Sequence, residues 1–421
     1  MKKNLLKISS LGALCVAIGA GSAVAQEDED FFIRNKYEAV TDRSQPEFDP
    51  LPIRTDGFEI TPEVSFTAGA TSNLFATGND EVDDYFLGIR PSIDVRSTWS
   101  RHALGLRGRI DHIEYGDTSS ESRTNLNLGG DGRLDVSREV NLFGAFQADD
   151  LTEPRSNIAS VENASEPVEY TRVGGEAGIQ YEAGRLRIRG AAGLETFDYD
   201  DVALNDGLIQ DQDFRDRDVT SLVVRTSYAV ERDWAVFAEV DHSESDYDGP
   251  NIFTALNRDF SNTSLRVGTD FELRNLIRGD IGIGAFQSEY DDPTVDDVSG
   301  LSVDGGLQWF ASQLTTLSFG AGRGVIDPGL SQSNAAVRTN VSARADHELR
   351  RNVIVSGEAR FTNFDFENVD RNDDRWNLRA AATWKVNPNL WVDGSYELTD
   401  QSSNVQDFSE NRFLIGLRIF P

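Results

Sequence analysis

Arginine recurs at regular intervals in stretches where every second residue is small or apolar. Its planar guanidinium forms bidentate pairs with carboxylates and stays charged when it is partly desolvated. A face rich in arginine can therefore guide a solute such as a sugar polymer. It can also form ion pairs with neighbouring Asp and Glu that stiffen the structure. If the arginines have only one role, we favour this structural one. The charged positions predicted to share one face are Arg107, Arg109, Asp111, Asp131, Arg133, Arg172, Glu176, Arg187, Arg189, Arg225, Arg266, Asp270, Arg338, Arg344, Arg375 and Arg379.

Histidine is the other side chain suited to proton transfer, and the chain has four: His102, His112, His242 and His347. Two of them directly follow an aspartate, at Asp111 and Asp241. Adjacent residues of a strand point to opposite faces, so neither pair can act as a dyad within itself. No Gly-x-Ser-x-Gly nucleophile sequence is present. We therefore predict no catalytic site and keep an outer-membrane barrel hydrolase as the least favoured alternative.

Carboxylates are concentrated in the polar stretches between the alternating segments. They could bind divalent cations through hard oxygen ligands, but none has the spacing of a twelve-residue calcium loop. We interpret them as a solvated, self-repelling surface and predict no metal and no cofactor. The carboxylates of one such stretch are Asp198, Asp200, Asp201, Asp211, Asp213, Asp216 and Asp218.

The composition excludes several classes of partner and site. Acidic residues number 71 against 40 basic ones, and this net charge of −31 argues against nucleic acid as a partner. Residues 1–25 have the basic start, apolar stretch and Ala-Val-Ala end of a secretory signal peptide. Its cleavage would remove Cys15, the one cysteine, so no disulfide or thiolate site is expected. Residues 26–56 are acidic, contain three prolines and predict a periplasmic lead-in.

From Gly57 onward the sequence alternates with period two, and no later segment has the roughly 20 apolar residues of a membrane-spanning helix. Leu104 and Leu106, for example, alternate with Arg107 and Arg109. Eighteen such segments are predicted strands, and their connections alternate between tight turns and long polar loops. The strands are centred near Val64, Ile89, Arg107, Gly130, Ala145, Ala177, Ala191, Val224, Ala238, Gly268, Ile283, Gly305, Phe319, Val341, Gly357, Ala380, Gly394 and Gly416.

This pattern predicts an all-β fold: a transmembrane antiparallel up-and-down β-barrel of about eighteen strands over residues 57–421, with both termini in the periplasm. An even strand number and short turns on the periplasmic side are typical of such barrels. Tyr and Trp near the strand ends suit headgroup belts. A soluble sandwich or propeller is disfavoured, because no blade-length repeat is visible. The sixteen charged residues given above would then line a water-filled lumen.

Several blocks of sequence resemble the outer-membrane β-barrel porin family called β-barrel porin 2. They are Trp99–Leu104, Asp131–Arg138, Glu169–Tyr170, Asp291–Pro293, Val298–Leu301, Asp304–Trp309, Leu314–Leu317 and Asp346–Asn352, and the resemblance extends from about Phe48 to Pro421. It implies an outer-membrane channel that takes part in exopolysaccharide export or assembly. A general diffusion porin for small hydrophilic solutes is the alternative.

The implied partners are outer-membrane lipid and lipopolysaccharide, the barrel assembly machinery, and polysaccharide or other export-system proteins. One departure concerns the assembly signal, which is usually an aromatic residue of the outward-facing set. Here Pro421 occupies the last outward-facing position, and Phe420 belongs to the inward-facing set. The loop from Asp149 to Glu169 could narrow the pore, but its sequence does not say whether it folds inward.

Overall fold

Eighteen antiparallel strands form the barrel in the computed structural model, which describes residues 38–161, 163–250, 256–274 and 276–421. Each strand pairs with its sequence neighbours, and the last pairs with the first. The strands are β1 (Phe58–Thr71), β2 (Asp84–Ser97), β3 (Ala103–Tyr115), β4 (Arg123–Asp135), β5 (Val140–Thr152), β6 (Glu169–Ala183), β7 (Leu186–Tyr199), β8 (Arg217–Glu231), β9 (Trp234–Tyr247), β10 (Phe260–Leu273), β11 (Ile277–Tyr290), β12 (Val298–Ser312), β13 (Thr315–Ile326), β14 (Ala336–Arg350), β15 (Val353–Phe366), β16 (Asn372–Asn387), β17 (Leu390–Ser403) and β18 (Phe408–Ile419).

The prediction of an eighteen-strand antiparallel barrel is confirmed, and every predicted strand centre lies within one of these strands. The remaining elements are small. A two-residue pair, Val202–Ala203 with Ile209–Gln210, and two short 3-10 helices, Ser119–Glu121 and Asp213–Arg215, lie in connections. Among the described residues, no helix is long and apolar enough to cross a bilayer.

The barrel closes where β1 meets β18, from Val64 opposite Ile419 to Thr71 opposite Arg412. The first residues of β1 have no partner on β18. They pair instead with a three-residue strand, Ile53–Thr55, through a turn at Gly57. Gly57 has a φ of 106°, a conformation that a side chain would strain. The strand Ile53–Thr55 lies within the predicted lead-in of residues 26–56, and residues 1–37, with the predicted signal peptide, lie outside the described residues.

The two faces of the barrel wall differ as the alternation requires. One face carries exposed apolar side chains, such as Leu128 and Val341, which are 46% and 52% exposed. The other carries the arginines and carboxylates. Since none of the described residues packs against these apolar side chains, the natural solvent of this face is the hydrocarbon of a bilayer.

The connections divide into two sets at opposite ends of the barrel. We call one set the short turns: 98–102, 136–139, 184–185, 232–233, 274–276, 313–314, 351–352 and 388–389. We call the other set the outer loops: 72–83, 116–122, 153–168, 200–216, 248–259, 291–297, 327–335, 367–371 and 404–407. The two longest, 153–168 and 200–216, have sixteen and seventeen residues.

The faces can be tested by placing a charge on each. Leu128→Arg and Val341→Arg should impair assembly, because an arginine facing lipid near the bilayer centre costs roughly 2 to 4 kcal/mol. Arg133→Ala and Arg344→Ala, on the other face, should leave assembly largely intact. The measurement is the heat-modifiable electrophoretic mobility of the protein in isolated outer membranes. Equal tolerance of all four changes would mean that the two faces are assigned incorrectly.

Candidate functional site

Most charged side chains of the predicted lumen face form ion pairs, either with a residue one or two strands away or with the residue two positions along the same strand. Within the predicted set, Arg107 pairs with Asp131 at 2.9 Å and Arg225 with Asp270 at 2.5 Å. Other members pair with residues outside that set: Asp111 with Arg90, Arg133 with Asp135, Arg172 with Asp149, Arg187 with Glu182, Arg266 with Glu239 and Asp241, Arg344 with Asp346 and Glu358, and Arg379 with Glu397. Glu176 on β6 and Arg338 on β14 lie on the same face of the barrel wall as these residues. The period-two alternation of the sequence places these partners on the same face, but it does not identify which residues pair.

Three arginines of the predicted set have other surroundings. Arg189 lies over the ring of Phe143, with 3.9 Å between its guanidinium carbon and the ring centroid. Arg375 donates to the side-chain oxygen of Gln401 at 3.0 Å through Nε. Arg109 has no hydrogen bond or ion pair through its side chain to any described residue.

The Asp-His neighbours point to opposite faces, as expected from strand geometry. Asp111 pairs with Arg90, whereas His112 lies beside the hydroxyl of Thr124 at 2.8 Å. Asp241 likewise pairs with Arg266, and His242 lies beside Thr263 at 2.9 Å. Each histidine is thus positioned by a threonine on the next strand.

The outer loop 153–168 crosses the barrel interior. It connects β5 to β6, yet the carbonyl oxygen of Ser156 accepts a 2.7 Å hydrogen bond from Arg375 on β16. Nine strands separate β6 from β16 in one direction and seven in the other, so this contact joins opposite walls. Ile158 packs against an apolar cluster formed by Ile326, Ala336, Phe364 and Phe366. The loop therefore folds inward near the outer-loop end of the barrel.

Buried ion pairs hold this loop and its neighbours. Arg215 of loop 200–216 pairs with Glu153, and both side chains are 3% exposed. Arg155 pairs with Glu121 at 2.5 Å. Asp327 of loop 327–335 binds Arg258 at 2.9 Å and accepts a hydrogen bond from the Tyr247 hydroxyl. Removing one member of such a pair would leave a buried charge uncompensated, so the pairs fix how the loops sit together.

Not all loop carboxylates are compensated. Asp201, Asp211 and Asp213 bring carboxylate oxygens within 4.8 Å of one another. The charge of Asp211, followed by burial, raises the pKa of Asp213. These carboxylates repel one another, as expected for a solvated loop surface with an excess of acidic groups.

A second segment enters the barrel at the short-turn end, where residues 38–52 contact strands from β13 to β17. Val40 N donates to the Thr316 hydroxyl at 3.1 Å, and Arg43 pairs with Glu348 at 3.1 Å. Further along, Lys385 pairs with Asp49 at 3.0 Å, with both side chains buried. We call residues 38–52 the inner strap. Nothing in its irregular sequence indicated that it would enter the barrel.

The outer loops should respond to pH through Asp216. Burial, followed by the charges of Asp198, Asp213 and Asp248, raises the pKa of Asp216 to about 6. Because this pKa lies above its ordinary value of 3.8, the contribution of Asp216 to loop stability is fully present below pH 4 and is lost as the pH rises through 6. Hydrogen exchange of loop 200–216, corrected for intrinsic rates, should therefore be slower at pH 5 than at pH 7.5.

Asp216→Asn should reduce that difference, and Asp206→Asn in the same loop serves as the control. An unchanged difference in the Asp216 variant would exclude this carboxyl as the titrating group.

The chain is similar to one protein family and to several solved structures. A family model described as "Putative beta-barrel porin 2" matches residues 45–420. A comparison with curated proteins finds no match. Similar solved structures include OccK2 (OpdF) of Pseudomonas aeruginosa in complex with glucuronate, with 10% identity, coverage of 86% of this chain and 98% of that chain, and a TM-score of 0.46. They also include OpdK of the same organism with vanillate, with 9% identity, 86% and 99% coverage and a TM-score of 0.45.

The family match covers nearly the whole described chain, and the closed barrel presents an apolar outer face and a charged inner face. This chain therefore belongs to the β-barrel porin 2 family and is an outer-membrane β-barrel porin.

Proposed function

We propose that this porin is a diffusion channel for small hydrophilic solutes. The observation that carries the proposal is the crossing of the barrel by loop 153–168, through the bond from Arg375 to Ser156. A loop that joins opposite walls divides the cross-section into smaller openings. Solutes of a few ångströms can pass such openings, whereas a sugar polymer needs a continuous track.

The inner strap supports the same proposal from the other end. Its contacts with Thr316, Glu348 and Lys385 place protein across part of the short-turn mouth. A polysaccharide conduit, the function expected from the family resemblance, would have to displace both obstructions. A channel for small solutes needs neither to move.

The inner face of β12 and β13 carries four glycines, Gly306, Gly320, Gly322 and Gly324. An added Cβ at Gly324 would meet no atom within 4 Å, whereas Ser342 and Asn340 lie close to Gly320 and Gly322. We propose that this glycine lane, with the charged residues of the other strands, lines the channel. The sixteen charged positions predicted from sequence belong to that lining in this proposal.

Releasing loop 153–168 should widen the channel. Arg375→Ala removes the hydrogen bond to Ser156, so single-channel conductance in planar bilayers should rise above the wild-type value. Arg379→Ala is the matched control, because it removes an arginine from the same face of β16 that pairs with Glu397 and not with the loop. Equal conductance of the two variants would indicate that Arg375 does not tether a constriction.

Deletion of the gene separates the two functions directly. Entry of small solutes into cells should slow, while the amount of surface polysaccharide should stay unchanged. Lost polysaccharide with normal solute entry would overturn the diffusion-channel proposal in favour of polymer export.

A further inference from the structure

Three polar side chains lie in one row across β1, β2 and β3. Glu63 is directly opposite Ser92, and Ser92 is directly opposite Arg109. Directly opposite residues share a face, so all three point to the inside of the barrel. In the ranges that the structure describes, none of the three makes a side-chain hydrogen bond or ion pair.

The groups around this row are already satisfied. Arg90 pairs with Asp111 on one side, and Arg418 forms two bonds of 2.6 and 2.7 Å with Asp393 on the other. Farther along the same row, Asn127 donates to Asp149 at 3.0 Å. The charged groups around Glu63 and Arg109 are therefore paired with each other, and among the described residues this acid and this base have no hydrogen bond or ion pair of their own.

The spacing explains why the two groups do not pair with each other. Adjacent strands are about 4.8 Å apart, so the backbones of Glu63 and Arg109 are separated by about 10 Å. Ser92 occupies the position between them. Glu63 also borders a wall cavity of about 110 Å³, together with Arg90, Ser395 and Arg418.

We propose that Glu63, Ser92 and Arg109 form a binding subsite for small zwitterions of the amino-acid type. The proposal rests on the proposed function, because the solute must first diffuse into the lumen. The carboxylate of Glu63 would accept hydrogen bonds from an ammonium group. The guanidinium of Arg109 would bind a carboxylate with its two parallel donors, and the Ser92 hydroxyl can serve either group.

The local charge selects for a molecule that carries both signs. The flanking pairs are neutralised internally, so Glu63 and Arg109 act together as a dipole with no net charge. An anion is attracted by Arg109 but repelled by Glu63, and a cation experiences the reverse. A zwitterion oriented along the row is favoured at both ends.

The subsite can be tested by size-matched solutes with the full-length protein in planar bilayers. Alanine is the zwitterion, alaninamide the cation, lactate the anion and glycerol the neutral probe. Alanine should reduce the ion current of the wild-type channel at lower concentration than the other three probes. Glu63→Gln and Arg109→Gln should each raise the alanine concentration for half reduction about tenfold, which corresponds to about 1.4 kcal/mol.

Glu289→Gln is the matched control. Glu289 is an exposed acid on β11, on the face of that strand that carries the exposed Ile281 and Ile283, and this change should leave the alanine response within about twofold of wild type. Heat-modifiable mobility establishes that each variant has assembled.

Glycerol entry into liposomes distinguishes the two levels of the proposal. If glycerol enters but alanine, alaninamide and lactate act alike, or if the variants at Glu63 and Arg109 respond like Glu289→Gln, the zwitterion subsite is wrong and the diffusion channel stands. If glycerol does not enter either, the channel function itself fails.

Discussion

A bilayer provides no water to the backbone, so every peptide N–H and C=O within it must find a partner in the protein. The ladder of eighteen strands meets this requirement only because β18 returns to β1. The closing ladder is short, with eight residue pairs, and the hairpin of Ile53–Thr55 continues it for the first residues of β1. Because strand pairing around a closed ring supplies the cohesion, the interior does not need an apolar core. It is free to carry charge.

Charge inside the wall still has to be compensated, and the ladder determines how. A strand presents an inward side chain every second residue, and its neighbour presents one directly opposite, so most arginines have carboxylates within reach at fixed positions. Arginine suits this role better than lysine because its fork engages a carboxylate with two bonds. The pairs of Arg172 with Asp149 and Arg418 with Asp393 are of this kind. Lys385, the one lysine of the described residues, instead pairs with Asp49 of the inner strap.

The strands and turns could be predicted from sequence because their signals are local. Period-two alternation and turn length are properties of neighbouring residues, and all eighteen strands were found in this way. The inward course of loop 153–168 depends on a contact between Ser156 and Arg375, which are 219 residues apart. The inner strap depends on a contact across 336 residues. The row of Glu63, Ser92 and Arg109 requires the registers of two ladders, and the assignment of sixteen charged residues to the lumen stays a prediction.

The acidic residues are concentrated in the outer loops, which form the mouth of the channel. The mouth and the wall therefore act on a solute in different ways. Loop 200–216 contains six aspartates and one arginine, and loop 291–297 contains four aspartates and no basic residue. Such a mouth attracts cations and repels anions, but screening confines its field to about 8 Å at physiological salt. The strands extend much farther than that, since fourteen residues at 3.3 Å each span more than about 40 Å. Discrimination at the middle of the channel must therefore come from wall side chains that have no partner of their own, and paired arginines, however many, contribute little to it.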